Sequence, residues 1–234
     1  MAQPLVSCIL ATRNRKPFLQ QAIKYFCRQE YPHKELIIVD DSSQAAGDIV
    51  PDDARISYIR LHEQMPLGRK LNLGIQASSG PLLQKLDDDD YYHPNFLATT
   101  VTLLQGADPT QAIVGLDCFL VLIAATGELK LSGHGWCAGG TLCFSRQLWE
   151  HAPFREVPRA VDWWFLQDHA PQRVTICRPE LYILVRHHVG HLWTRLGQQD
   201  VTTYFRQRPT SATSLARYMP VNDYAFYEHL RMVS

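Results

Sequence analysis

Residues 5–17 read LVSCILATRNRKP, and three features in succession decide the fold class. Leu5 to Ala11 is an almost continuous apolar run, the pattern of a parallel strand covered on both faces. The polar stretch Thr12-Arg13-Asn14-Arg15 closes it. Pro17 then suits the first turn of a helix, where its fixed φ is pre-organised and its missing N–H costs nothing. Phe18, Leu19, Ala22, Ile23, Phe26 and Cys27 follow at helical spacing and define one buried stripe.

The same unit repeats downstream. Glu35 to Val39 is a second buried strand, ending in Asp40-Asp41-Ser42-Ser43, and Ile56 to Leu61 is a third. After Pro66-Leu67-Gly68 a helix is expected to Ser78, with Gly80 as its C-cap. Pro81 to Leu86 is the fourth strand, delivering the chain into Asp87-Asp88-Asp89-Asp90, and Pro94 opens the next helix. Strands and helices alternating in this way imply a parallel sheet with right-handed crossovers, flanked by helices. From Ala112 the pattern changes: two apolar stretches meet at Thr126-Gly127, which predicts an appended antiparallel hairpin. Beyond it the pattern predicts a strand at Thr141–Phe144, helices at Arg146–His151 and Val161–Asp168, and strands at Val174–Cys177 and Leu181–Arg186. A last helix is expected near Tyr224–Met232. The fold class is therefore α/β, a Rossmann-like, mostly parallel sheet with a hairpin appended.

Bulk properties bound the function. A chain of 234 residues with 46% apolar residues can bury a core without staples. Its zero formal charge argues against nucleic acid as the main partner. Six scattered cysteines without a CxxC pair read as reduced, which favours the cytoplasm. The first residues lack a signal-peptide pattern, and the longest apolar run, Ala112 to Ala125, is broken by Asp117 and is short for a membrane span. Membrane contact is expected to be peripheral at most; self-association as a homodimer stays open.

In an open parallel sheet, ligands bind at the carboxyl ends of the strands. Three polar clusters fall there: Thr12 to Arg15, Asp40 to Ser42, and Asp87 to Asp90. The four aspartates follow a buried strand and precede a Pro-started helix, so they cannot spread apart, and like charges so confined favour a bound cation. Hard oxygen ligands suit Mg²⁺ or Mn²⁺. One of Asp40 and Asp41 is expected to cap its turn, leaving the other for a base or ribose. Arg69 and Lys70 lie in the first turn of a helix, whose dipole also attracts anions. Asp162, ahead of Trp163 and Trp164, is either an N-cap acid or a general base against a hydrophobic wall. Arg186, His187, His188 and His191 cluster past a strand; no HExxH accompanies them, so a single histidine joining the aspartate-held metal is the reading preferred to a separate zinc site.

The segments VSCILATRNR, ELIIVDDSS, LGRKLNLGIQASSG, LQKLDDDDYYHP and AVDWW, in this order over about Val6 to Arg195, resemble the family 2 glycosyltransferases of the GT-A fold. The resemblance implies transfer of a sugar, with inversion, from a nucleotide-diphosphate donor (typically UDP-linked) to a glycan, lipid-linked or small-molecule acceptor. It implies Thr12, Arg13, Asn14, Asp40 or Asp41, Lys70 and Asn72 at the donor, with one base or phosphate contact either lost or moved to Arg69 where Leu71 replaces a common arginine. The DXD element maps to Asp87, Asp88 and Asp89: Asp89 is the direct metal ligand, and Asp87 and Asp88 face the donor. Asp162 is implied as the general base, although Val161 stands where glutamate is usual. His188 or His191 is implied as a late metal ligand, and Trp163 and Trp164 as acceptor contacts, while Gly139 and Gly140 would let an acceptor approach the backbone. Residues 1–110 would form the nucleotide-sugar half, 111–196 the acceptor and catalytic half, and 197–234 an extension covering the acceptor site, mediating dimerisation or packing on the core. The QxxRW motif of processive synthases is absent, which favours single additions. A catalytically degenerate GT-A domain that only binds is the rival reading.

Overall fold

The computed structural model describes residues 3–108, 110–132, 137–169, 172–187 and 215–232. Its main sheet has seven strands: β1 (Val6–Thr12), β2 (Lys34–Asp40), β3 (Ile56–Arg60), β4 (Leu82–Asp87), β6 (Ala112–Cys118), β9 (Cys143–Ser145) and β10 (Gln172–Cys177). Their order is β10-β6-β9-β4-β1-β2-β3. All pairings are parallel except those of β9, which runs antiparallel to both β4 and β6. A second sheet of four strands, ordered β5-β11-β7-β8, combines β5 (Tyr91–Tyr92), β7 (Leu120–Ile123), β8 (Glu128–Leu131) and β11 (Tyr182–Arg186). Six helices are described: α1 (Lys16–Cys27), α2 (Leu67–Ala77), α3 (Phe96–Gln105), α4 (Arg146–His151), α5 (Val161–Asp168) and α6 (Val221–Met232).

The unbroken apolar character of β1 follows from two cores, one on each face of the sheet. Cys8 and Leu10 enter one core with Leu36 and Ile38, against α1 and α3. Ile9 enters the other with Ile37, Val39 and Leu83, against α2, α4 and α5. Alternate residues therefore face different apolar layers, as a strand's period of two requires. Helix α2 sits close because of Gly74, where a Cβ would stand 2.8 Å from Ile9 Cγ2. Leu71 is buried in that same core, so the position where an arginine was looked for is a packing position.

Two expectations change. Gly80 is no helix cap: α2 already ends at Ser78 in extended conformation, and Gly80 lies so near Ser7 Oγ and Leu5 O that a Cβ would stand 2.6 and 2.7 Å from them. The glycine serves a close approach of β4 to β1. The apolar run from Ala112 is not one arm of a hairpin. It breaks at Phe119, giving β6 to the main sheet and β7 to the second, and the β7–β8 hairpin alone turns at Gly127, with φ 72°. No helix among the described residues is long and apolar enough to cross a membrane. All six cysteines are free.

Helix α6 packs on α1. Asp223, almost fully buried, accepts hydrogen bonds from Gln21 Nε2 at 2.8 Å and Arg28 Nη2 at 2.6 Å. Tyr25 OH donates to Tyr227 OH at 3.2 Å.

Candidate active site at the strand ends

Three adjacent strands, β4, β1 and β2, end side by side. The register aligns Thr12 with Asp40 and Ala11 with Asp87, so the three polar clusters converge because their strands stop at one level. Thr12 Oγ1 donates to Asp88 at 2.6 Å. Asn14 takes the left-handed conformation, φ 52°, and its side-chain carbonyl accepts from the Ser43 N–H at 2.8 Å. Arg13 donates to the Asp41 carbonyl at 2.8 Å and pairs loosely with its carboxylate at 3.6 Å.

Asp40 is the turn acid. It accepts from the Ser42 N–H and hydroxyl, the Ala46 N–H and the Tyr58 hydroxyl, and Arg60 lies 3.5 Å away. Burial would raise its pKa, but this set of donors outweighs burial and holds the carboxyl below its ordinary value. Asp41 is held as well, by Lys70 Nζ at 2.8 Å and the Met65 N–H at 2.9 Å. Lys70 also donates to the Thr12 carbonyl, tying α2 to the ends of β1 and β2.

The four aspartates divide by environment. Asp87 pairs with Lys85 at 2.6 Å, and its side chain is 35% exposed. Asp88 is buried and lies 2.7 Å from Arg15, and burial pushes its carboxyl up to about 7 despite that partner. Asp89 meets Arg15 at 2.7 Å and His187 Nε2 at 3.0 Å. Asp90 accepts from Tyr182 OH and the Val185 N–H, which fastens the second sheet to the acidic run; burial raises its pKa well above the carboxylate range.

Asp162 opens α5 and comes to the same place from the other side of the sheet end. Its Oδ1 lies 3.4 Å from Lys85 Nζ, so Asp87 and Asp162 share one buried ammonium. Burial pulls the Lys85 pKa down, and the two carboxylates more than offset it, leaving the group above its ordinary value. Burial raises Asp162, with Lys85 opposing. The 3-10 turn Gly139–Thr141 closes the space. A Cβ on Gly139 would stand 2.2 Å from Asp162 Oδ2, and one on Gly140 would stand 2.7 Å from Asp87 Oδ2. The glycines thus admit this chain's own carboxylates.

Not every expected residue joins this group. Arg69 is exposed and pairs with Glu156 at 3.4 Å. Asn72 spends its amide on packing: it donates to the Phe154 carbonyl at 2.8 Å and accepts from Trp149 Nε1 at 2.9 Å and the Phe154 N–H at 3.0 Å. His188 and His191 lie outside the described residues; among the described residues, His187 touches Asp89. Trp163 is 52% exposed beside Asp162, and Trp164 is stacked under the Arg155 guanidinium, 4.2 Å from its ring centroid. Arg15, Lys85 and His187 were not singled out from sequence. Arg15 and His187 stand in clusters already noted, and Lys85 is a cation in an otherwise apolar strand, a signal that invited attention.

A divalent ion fits the donor set. Among the described residues no three His, Cys, Asp or Glu side chains form a cage. Mg²⁺ and Mn²⁺ need none, since they take one or two carboxylates and complete their shell from phosphates and water. Asp89 with His187 would supply that corner, where Arg15, 2.7 Å from both Asp88 and Asp89, now holds positive charge against the same carboxylates.

Residues 7–121, from β1 into β7, match the model of Glycosyl transferase family 2. A GalNAc(5)-diNAcBac-PP-undecaprenol beta-1,3-glucosyltransferase of Campylobacter jejuni is 35% identical over 141 residues, 56% of this chain and 43% of the relative. The putative colanic acid biosynthesis glycosyl transferase WcaA of Escherichia coli is 34% identical over 100 residues, 41% of this chain and 36% of the relative. The chain thus spans about two fifths of the length of these curated relatives. Among solved structures, the mannosyltransferase PcManGT of Pyrobaculum calidifontis, in complex with GDP-Man and Mn²⁺, superposes with TM-score 0.66 at 19% identity, covering 98% of this chain and 71% of that one. TarS 1–349 of S. aureus with UDP-GlcNAc gives TM-score 0.62 at 15% identity, covering 81% and 60%. The fold is that of the GT-A glycosyltransferases.

Proposed function

We propose that this chain, whose residues 7–121 carry the family 2 glycosyltransferase signature, transfers a sugar from a nucleotide diphosphate to an acceptor hydroxyl. The observation that carries the proposal is the pair Asp87 and Asp162. Two partly exposed carboxylates from different elements are fixed on one buried Lys85, beside the carboxyl ends of the central strands. That is a holder for a donor on one side and a proton acceptor on the other.

In this reading Asp162 is the general base. It takes the acceptor hydroxyl proton as the acceptor oxygen bonds to the anomeric carbon and the carbon–oxygen bond to the diphosphate breaks, with inversion. Its raised pKa makes it a better proton acceptor than a solvated aspartate, while Lys85 keeps it aimed. Asp87, and Asp88 once Arg15 yields, would face the donor; Thr12, Arg13 and Asn14 would line the nucleotide pocket, with Lys70 and Asp41 holding its floor. Asp89 and His187 would hold Mg²⁺ or Mn²⁺, which when bound supplies charge stabilisation to the departing diphosphate. Arg186, at the end of β11, is a further cation near Asp89 and Asp90, its pKa lowered by burial. UDP-linked donors are the first to test; the solved neighbours contain UDP-GlcNAc and GDP-Man. Exposed Trp163 beside Asp162 offers a flat apolar face for an acceptor sugar ring. A glycan or lipid-linked acceptor suits it, and one relative is named for GalNAc(5)-diNAcBac-PP-undecaprenol.

One observation favours a binding role without turnover: Arg15 covers both Asp88 and Asp89. A panel of nucleotide sugars assayed with Mn²⁺ for thermal stabilisation and for slow donor hydrolysis separates the readings. A ligand that binds only the folded state raises its apparent stability. Stabilisation with hydrolysis supports the enzyme, stabilisation alone supports the binder, and neither defeats both.

A further inference from the structure

We infer that the C-terminal helix α6 positions His187 against Asp89 through a stack of aromatic rings, and so helps to shape the candidate ion corner from outside it. The inference rests on the reading of Asp89 and His187 as that corner.

The contacts run in one line. Phe226 of α6 meets Phe18 edge-on, with ring centroids 5.6 Å apart and an interplanar angle of 89°. Phe18, on the first turn of α1 and buried, stacks on the His187 ring at 4.4 Å and 23°. His187 Nε2 lies 3.0 Å from Asp89 Oδ2. An aromatic face fixes the plane of the imidazole, and the plane decides where its nitrogen points; metal-binding histidines depend on such outer partners for orientation. Phe18 itself is fixed from behind by α6.

The seat of α6 is more strongly built than simple packing needs. Asp223 is almost fully buried and answered by both Gln21 and Arg28, and the Tyr25–Tyr227 hydroxyl contact adds a second tie. A buried charge is tolerated where it is paired and hydrogen-bonded, and such a pair fixes one arrangement among those that apolar packing alone would allow. These ties fall on α1, the helix that carries Phe18, and on Arg28 at its C-cap. The device therefore sets both the register of α6 on α1 and the place of Phe226 on Phe18. Phe18 and Phe226 are positioning residues, which act on the Asp89 corner through the His187 ring.

The test uses the whole chain with Phe226→Ala, Phe226→Leu and Tyr227→Phe, each alone and the first combined with His187→Ala. The first readout needs no metal: the His187 ring-proton resonances carry the ring-current shift of stacked Phe18. The second is calorimetry of UDP and GDP with and without Mn²⁺. Expected is a displaced His187 signal in Phe226→Ala, with the Mn²⁺-dependent gain in nucleotide affinity reduced about three- to tenfold and metal-free affinity unchanged. Phe226→Leu, which keeps the apolar seat but loses the ring edge, should fall between, and Tyr227→Phe, which removes one of the ties of α6 to α1, should lower thermal stability and move the His187 signal less than Phe226→Ala does. In the His187→Ala background, Phe226→Ala should cost nothing further. An unmoved His187 signal in Phe226→Ala, or an equal loss in both backgrounds, overturns the inference. If His187→Ala alone spares the Mn²⁺-dependent gain, the ion reading fails instead, and the positioning stands or falls on the resonance shift.

Discussion

Gly139 lies against Asp162 so closely that a methyl group on it would stand 2.2 Å from Asp162 Oδ2 and 2.9 Å from Asp162 Cβ. No side-chain torsion of Asp162 relieves a clash with its own Cβ. Gly139→Ala is therefore expected to move the carboxylate away from Lys85 and to destabilise the fold by about 1–3 kcal/mol, the usual cost of overpacking. Chemical denaturation reads the stability, and transfer activity should fall more than tenfold. An alanine variant of normal activity would show that the position of Asp162 is unimportant.

Asn72→Ala tests the reassignment of Asn72 from donor contact to packing. The substitution strands Trp149 Nε1 and the Phe154 N–H, which Asn72 Oδ1 now satisfies. Buried donors left unpaired cost roughly 1–3 kcal/mol each. A clear loss of stability is expected with nucleotide affinity retained, measured by denaturation and calorimetry. Lost affinity in a variant of normal stability would return Asn72 to the donor site.

The layout of the fold was legible because buried parallel strands announce themselves: Ile9 and Leu10 face opposite cores, and no solvent face interrupts the run. The convergence of Thr12, Asp40 and Asp87 was equally readable, since polar residues at strand ends have one place to go. What was hidden depends on side-chain direction. Arg69 and Lys70 are sequence neighbours on α2, yet Lys70 turns inward to Asp41 and Arg69 outward to Glu156. Asn72 looks like a donor residue until its partners are seen, since its amide is consumed by Phe154 and Trp149, distant groups that no local pattern predicts. The split of residues 112–131 between two sheets was likewise set by tertiary pairing, with β11 accepting β7.

Asp88 makes stability fall as pH rises. Its carboxyl titrates at about 7 in the folded chain, above the ordinary value of 3.8. The folded state therefore holds a proton that the unfolded state has lost, and the resulting stabilisation, full below the ordinary value, disappears as pH rises through 7. Asp88→Asn removes this dependence. Relative to the natural chain the variant should gain about 2.5–3 kcal/mol in metal-free buffer between pH 5 and pH 8, most of it below pH 7, where the gain levels off. Thermal melts across that range check it; a difference that is flat in pH would contradict the assignment.

Arg15 stands 2.7 Å from Asp88 and 2.7 Å from Asp89, where its charge opposes an incoming cation. Arg15→Gln is expected to tighten Mn²⁺ binding in the absence of nucleotide, by roughly tenfold if the loss is worth about 1.4 kcal/mol. Titration calorimetry with Mn²⁺ alone measures it. Unchanged or weaker binding would mean that the guanidinium supports the ion corner.

The base assignment is tested most directly by Asp162→Asn, comparing transfer of the sugar with binding of the nucleoside diphosphate in one preparation. The amide keeps the shape and cannot take the acceptor proton. General-base catalysis typically contributes 10²–10⁴-fold, so transfer should drop by roughly that factor. Diphosphate affinity should stay within about twofold, since 1.4 kcal/mol corresponds to tenfold and no donor contact is removed. Turnover close to that of the natural chain, with binding intact, would contradict Asp162 as the base.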